Sequence, residues 1–431
     1  MTAGNSITIA PASTLRGKVS VPGDKSVSHR ALMFAALAQG ESQISNLAPG
    51  ADVRSTAEVL RSLGVTIELH GHTATVIGTG RGGLKPPSTA LDCGNSGTTM
   101  RLMMGMLAST GFKATLIGDD SLSSRPMGRI ADPLREMGID IELAPGGTAP
   151  VIVHGEPPRS VHWNSRVASA QVKSAILLAG LAASGTTSVS EPSKSRDHTE
   201  RMLSAMGASI TVDDNTISLV GGGPLRPQTP LTVPGDLSSA AFWLVAGLLR
   251  GDMVQVCNVG LNPTRTGVLD VLTAMGAQLD IEHVGSTGEP MGNISVRRQE
   301  LRGISLAGTL VVRAIDEIPV IAVLATQARG RTEIRDAQEL RVKECDRITA
   351  VVDMLRSMGA SIKELDDGMI IDGPTPLCAA TVESHHDHRI AMSAAVAGLC
   401  VQNDRPTTIL GSDIAEVSYP GFYQVLRGLR V

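Results

Sequence analysis

The sequence predicts an α/β protein of two pseudo-symmetric halves, each made of three repeats of similar length. Three observations predict it. A helix closed by Gly and followed by a strand recurs as LRSLGVTIEL, LREMGIDIEL, LSAMGASITV, LTAMGAQLDI and LRSMGASIKEL, around Gly64, Gly138, Gly207, Gly276 and Gly359. A second helix, apolar nearly all round, opens from a polar turn near Gly23, Gly94, Ser165, Gly235, Asp316 and Asp387, so its starts are almost evenly spaced along the chain. Finally, VPGDKSVSHRALMFAAL at Val21 returns as VPGDLSSAAFWLVAGL at Val233, three such intervals later.

Each element has a local reason. Apolar residues at helical spacing, then Gly, then β-branched alternation describe a helix that ends in a left-handed turn and feeds a strand. A helix that is apolar on every side must be buried. Each unit therefore holds one buried helix, one amphipathic helix and several short strands. Tyr423 to Arg430 supplies the sixth amphipathic helix. Residues 22–234 are expected to form one domain, and residues 1–21 with 235–431 the other. The N-terminal strand Ile7–Val21 joins the second domain, and the chain crosses near Pro22 and Pro234.

Composition narrows the function. Of 431 residues only two are Trp, two Tyr and four Phe, so the cores must be built from Ala, Val, Leu, Ile and Met. A net charge of −4 without a basic tract argues against nucleic-acid binding. No apolar run of about 18 residues is present, which argues against a membrane span. The polar start from Met1 to Ser13 shows no signal peptide. Five scattered cysteines without a C-x-x-C pair point to free thiols in a reducing compartment, hence the cytoplasm, and away from zinc.

The chemistry gathers at helix starts: Lys25-Ser26, Asn95 to Thr98, Ser169 to Gln171, Ser238-Ser239, Asp316-Glu317 and His388-Arg389. Such a terminus is an anion site, although Ser, Asn and Asp there also serve as plain caps. Lys25 and Arg389 oppose the helix dipole, which is sensible if an anion lies between them. Arg54, Arg125, Arg196, Arg265 and Arg347 precede the capping Gly by a nearly constant interval, placing each at the first turn of its helix. They are either structural partners of nearby acids or a ring of anion ligands. In RVKECDR, Lys343, Glu344 and Arg347 can face one site. Glu344 is then a proton-transfer group, or else a salt-bridge partner of Arg341 or Arg347. His385, His386 and His388 form one short cluster without a second ligand group, so no metal site is expected. These residues together describe proton transfer on small, multiply anionic metabolites.

The motifs PGDKSVSHRA, DCGNSGTTMRL, SSRPMGRIADPL, SAQVKSAILLAGL, SRDHTERM, RVKECDR and DHRIAM closely resemble the 5-enolpyruvylshikimate-3-phosphate (EPSP) synthase family, from about Ala10 to Leu429. SRDHTE and the SAQ triplet are similar to its class II bacterial group. The resemblance implies two inside-out α/β domains, each of three βαβαββ units, closing on substrate, without metal or organic cofactor, in a usually monomeric enzyme. It implies transfer of the enolpyruvyl group of phosphoenolpyruvate to the 5-hydroxyl of shikimate 3-phosphate, through a tetrahedral intermediate.

By matching motif positions, Lys25, Ser26 and Arg30 would hold shikimate 3-phosphate, with Lys25 also reaching phosphoenolpyruvate. Ser169 would bind the 3-phosphate, Arg196 would assist, and Gln171 would bridge both ligands. Gly97, Arg125, Arg347 and Arg389 would cradle phosphoenolpyruvate. Asp316 would act on the 5-hydroxyl proton and Glu344 on the methyl and methylene protons, with Lys343 at the shikimate ring or beside Glu344. Most shikimate 3-phosphate contacts would lie in the 22–234 domain. Ala170 replaces a second Ser of many relatives, Glu339 replaces Asn of some, and Val417 stands where class I members have Lys. Gly97 is the small residue of glyphosate-sensitive members. The rivals are the related enolpyruvyl transferase acting on UDP-N-acetylglucosamine, towards which Asp119 and Asp120 leave a slight ambiguity, and a non-catalytic repeat scaffold.

Overall fold

The computed structural model describes residues 5–285 and 288–431. Its strands gather into six sheets, five of four strands and one of three. The second repeat shows the plan. Leu91–Asp92 runs parallel to Lys113–Ile117, which pairs antiparallel with Thr148–His154, and that strand with Asp140–Ala144. The buried helix Gly97–Met106 lies between the two parallel strands in sequence, as the crossover that parallel pairing demands. The amphipathic helix Gly128–Glu136 then leads into the hairpin.

Three repeats take an edge strand from far along the chain, one of them Ile7–Ile9, which pairs antiparallel with Thr407–Leu410. Leu231–Thr232 runs parallel to Gln39–Ser45, and Leu15–Ser20 runs parallel to Gly251–Gly260. The chain divides into two compact units. One unit takes the N-terminal chain to Pro22 with Gly235–Gly285 and Pro290–Val431; the other takes Gly23–Pro234 and a short stretch ending at Glu289. The two turns are alike: Asp24 N–H donates to the Pro234 carbonyl and Asp236 N–H to the Pro22 carbonyl, both at 2.8 Å.

Three buried helices make the core of each unit. They are Lys25–Leu37, Gly97–Met106 and Ala170–Gly180 in one, and Leu237–Arg250, Ile318–Gln327 and His388–Leu399 in the other. Small residues let them approach: a Cβ on Gly105 would lie 2.1 Å from the Ala175 carbonyl oxygen. The glycines closing the amphipathic helices have φ between 86° and 96°, a conformation that favours glycine.

Two expectations need correction. The stretch Ile7–Val21 is not one strand but two, Ile7–Ile9 in the three-stranded sheet and Leu15–Ser20 in another. Pro11, with no N–H for a ladder, lies in the break. The last amphipathic helix is Phe422–Gly428, because the backbone of Arg430 bridges to Leu15 instead. Five of the eight aromatic residues, Phe242, Trp243, Tyr419, Phe422 and Tyr423, form one cluster against that helix, with Trp243 Nε1 donating to Tyr419 Oη at 3.0 Å. Among the described residues no helix is long and apolar enough to cross a membrane.

Candidate active site

In the unit spanning Gly23–Pro234, the three buried helices carry the predicted polar starts. Asp24 caps the first, accepting from Val27 N–H at 2.9 Å, so Lys25 and Ser26 stand on its first turn. Lys25 Nζ pairs with Asp52 Oδ2 at 2.9 Å, and the lysine side chain is 60% exposed. Arg30 is different in kind. It is buried, and its guanidinium donates to Thr199 Oγ1 at 2.8 Å, Ser174 Oγ at 2.8 Å and the Ser26 carbonyl at 3.0 Å. Its pKa is lowered by burial, with Glu200 and Asp24 opposing. Arg30 therefore holds the backbone beneath Ser26 and ties that helix to the SRDHTE segment.

A second buried chain locks the helix starts to one another. His29 Nδ1 meets Thr56 Oγ1 at 2.7 Å, Thr56 meets Thr99 Oγ1 at 2.7 Å, and Thr99 donates to Ser96 Oγ at 2.7 Å. Burial pushes the His29 pKa down to about 3.

Gly97 opens the next helix after the Ser96 cap, and a Cβ there would lie 3.1 Å from Arg101 Nη1 and 3.4 Å from Arg125 Nη1. Arg125 donates to Asn95 Oδ1 at 2.7 Å and Ser121 Oγ at 3.1 Å. Asn95 in turn donates to Asp119 Oδ2 at 2.7 Å, and Asp119 caps the short helix Asp120–Ser123. The Leu122 N–H and then the Asn95 amide lower the Asp119 pKa. Asp119 thus orients the partner of Arg125. Gln171 accepts from Arg101 Nη1 at 2.8 Å and donates to Thr98 Oγ1 at 3.1 Å, while Ser169 caps its helix through Val172 N–H. Ala170 begins that helix. Arg101 was missed by the sequence reading, although it stands one turn after Gly97 inside DCGNSGTTMRL. Burial and then its neighbours Arg125 and Arg129 lower its pKa, the mark of a cationic cluster that an anion would relieve.

The other unit gathers carboxylates around cations. Arg347, 1% exposed, donates to Glu344 Oε2 at 2.6 Å, Asp387 Oδ2 at 2.7 Å and Asp316 Oδ1 at 3.4 Å. Asp387 is buried and also caps His388–Leu399 through Arg389 N–H at 2.8 Å. Arg389 donates to the Asp316 carbonyl at 2.8 Å. Burial opposes its charge, but the facing Asp316, Glu317 and Asp236 more than offset that and raise its pKa. Lys343 Nζ lies 3.8 Å from Glu339. Asp316 and Glu317 sit in a single 3-10 turn before Ile318–Gln327. Glu317 is buried, accepts from Ser238 Oγ, and has its pKa raised by that burial. Val417 lies in the turn Ser412–Val417, 62% exposed.

The five arginines do not share one place. Arg54 and Arg347 lie in the first turn of their helices, but Arg125, Arg196 and Arg265 precede Gly128, His198 and Gly267 by two or three residues. Their loops remove the conflict with the helix dipole. Arg54 donates to the Pro49 carbonyl at 2.6 Å, and Arg265 donates to Ser238 Oγ at 3.1 Å beside Asp236. Among the described residues no group of three or more His, Cys, Asp or Glu is placed to hold a metal ion.

Six repeated α/β modules, with cations and carboxylates at their helix starts, define the enolpyruvyl transferase class. The fold is that of the enolpyruvyl transferase NikO from Streptomyces tendae, with a TM-score of 0.77 at 21% identity over 99% of this chain and 98% of that one. EPSP synthase from Acinetobacter baumannii matches with a TM-score of 0.93 at 44% identity, again over 99% and 98%. The 3-phosphoshikimate 1-carboxyvinyltransferases of Geobacillus kaustophilus and of Synechococcus sp. strain JA-3-3Ab are 52% and 53% identical, over 97% and 98% of this chain and 98% and 96% of theirs. The family model of EPSP synthase (3-phosphoshikimate 1-carboxyvinyltransferase) matches residues 9–426. The chain belongs to the EPSP synthase family.

Proposed function

We propose that this protein carries out its family's reaction, joining the enolpyruvyl group of phosphoenolpyruvate to the 5-hydroxyl of shikimate 3-phosphate and releasing phosphate. The observation that carries the residue assignment is that Asp316 and Glu344 both bond to one buried guanidinium, that of Arg347. Two acid–base groups beside a fixed cation suit a reaction that moves two protons around an anionic ligand. In the forward step the 5-hydroxyl oxygen bonds to C2 of phosphoenolpyruvate. Asp316 takes the hydroxyl proton and Glu344 gives a proton to the methylene carbon. In the second step Glu344 takes a proton back from the new methyl group, the C2–O bond to phosphate breaks, the double bond re-forms, and the proton held by Asp316 leaves with the departing phosphate.

Lys25, Ser26, Ser169 and Arg196 hold shikimate 3-phosphate in this reading, with Arg30 fixing the backbone of Ser26. Gln171 bridges the two ligands. Lys25, Gly97, Arg125, Arg347 and Arg389 take phosphoenolpyruvate, and Lys343 stands beside Glu344. The protein acts as a monomer in the cytoplasm on these two small molecules, without nucleic acid. Five free cysteines support that compartment. The test is phosphate release from phosphoenolpyruvate by protein shown folded by circular dichroism, with shikimate 3-phosphate or with UDP-N-acetylglucosamine as acceptor. Release only with shikimate 3-phosphate is expected; release only with the nucleotide sugar, or with neither, overturns the reading.

A further inference from the structure

Beneath Ser169 lies an ion triad with no part in the chemistry above. Lys173 Nζ meets Glu191 Oε2 at 2.9 Å and Glu200 Oε1 at 2.7 Å, and all three side chains are no more than 5% exposed. A lysine on an otherwise apolar buried helix is costly unless fully paired. Glu191 does more than pair with it. Its Oε1 accepts from Ser169 N–H at 3.0 Å, while Oε2 accepts from Ser195 Oγ at 2.8 Å and Ser195 N–H at 3.4 Å. One carboxylate therefore fastens the start of the helix Ala170–Gly180 and the loop that delivers Arg196.

A carboxylate so close to residues assigned to a phosphate would repel the ligand if its charge were bare. Lys173, paired with it at 2.9 Å, offsets that charge. Burial raises the Glu200 pKa, and the pairing with Lys173 opposes that rise. Glu191 also occupies the Ser169 N–H, which leaves the Ser169 hydroxyl as the group to donate outward. Ala170 gives no second hydroxyl there, so the placing of Ser169 matters more in this chain.

We propose that Glu191, paired with Lys173, is a positioning residue for the 3-phosphate of shikimate 3-phosphate, holding Ser169 and the Ser195–Arg196 loop in one arrangement. This rests on the reading that Ser169 and Arg196 meet that phosphate. The experiment compares Ser169→Ala, Glu191→Gln and Ser195→Ala in the full chain. It measures the dissociation constant of shikimate 3-phosphate by calorimetry, the KM for phosphoenolpyruvate, kcat and the melting temperature. Ser169→Ala tests the substrate reading on its own: unchanged shikimate 3-phosphate binding rejects that reading. With that binding weakened, Glu191→Gln is expected to raise the shikimate 3-phosphate dissociation constant about tenfold, the effect of one charge-assisted hydrogen bond, with the phosphoenolpyruvate KM within about twofold. Unchanged affinity, or equal losses for both substrates together with a lower melting temperature, overturns the proposal. Should Glu191→Gln not fold, Ser195→Ala decides, since it leaves the triad intact. A rise of about threefold or more in the same constant supports the proposal, and no change overturns it.

Discussion

Acid should unseat the helix that bears Lys25 and Ser26, through His29. This imidazole is fully buried, bonded through Nδ1 to Thr56, with no partner at Nε2 among the described residues. Burial lowers its pKa from 6.5 to about 3. Between those values the unfolded chain binds a proton that the folded chain refuses, so stability is complete above pH 6.5 and is lost as pH falls. Integrating between the two values gives a loss of about 3 kcal/mol from this one group on going from pH 7 to pH 4, with a slope near 1.4 kcal/mol per pH unit. The assay is urea unfolding at pH 7, 6, 5 and 4 for the parent and His29→Gln. Glutamine accepts from Thr56 but does not titrate. Other titrating groups are common to both proteins and cancel, including His388, whose burial takes its pKa to about 4. The variant should lose about 3 kcal/mol less than the parent over that range. Parallel stability curves, within about 0.5 kcal/mol, would refute the reasoning.

Other expectations concern chemistry and binding. Glu344→Gln should leave both substrates bound and reduce kcat by about 100-fold or more, the usual share of a general acid–base group; normal turnover in a stopped-flow phosphate assay rejects its role. Arg125→Ala should raise the phosphoenolpyruvate KM about tenfold or more, since charge-assisted bonds to an anion are lost, and should spare shikimate 3-phosphate in calorimetry. Gly97→Ala would press a methyl against Arg101 and Arg125. It should raise the glyphosate inhibition constant about tenfold or more without lowering the melting temperature, because Ala suits a helix better than Gly; an unchanged constant rejects it. Asp387→Asn keeps the helix cap but removes the buried charge facing Arg347, and should cost about 3 kcal/mol in urea unfolding.

The parts of the fold that are local were legible in the sequence. Helix, Gly and strand follow one another within one short stretch, and each capping Gly takes the left-handed turn its position required. The pairing of Glu344 with Arg347 was one of the alternatives, because three residues separate them on a turn. What stayed hidden was long-range partnership. Asp52 meets Lys25 from 27 residues away, Asp387 meets Arg347 from 40, and Thr199 meets Arg30 from 169. Nothing in the periodicity marks these pairs, since each acid or hydroxyl also makes a good cap or a surface residue. The pairing of Leu231–Thr232 with Gln39–Ser45 was equally silent, because that strand is only two residues long. Arg101 escaped notice because it stands one turn inside a helix read as apolar all round.

The cations divide into two physical kinds, and the division bears on how an anion is bound. Arg347 and Arg30 are buried and fully engaged, so in the proposed function they act as fixed charges, Arg347 towards the ligand and Arg30 beneath Ser26. Displacing a buried carboxylate from Arg347 would leave an uncompensated charge, at a cost of several kcal/mol. Lys25 and Arg125 are exposed enough to be solvated, and Asp52, paired with Lys25, contributes at most about 1 kcal/mol there. A dianionic phosphate offers more than Asp52 does, so Lys25 can leave the acid for the ligand at little loss. In the proposed function the fixed cations then set geometry, and the exchangeable ones set affinity. Substitutions at the first kind should therefore lower kcat together with stability, and substitutions at the second should change the substrate constants while the melting temperature stays where it was.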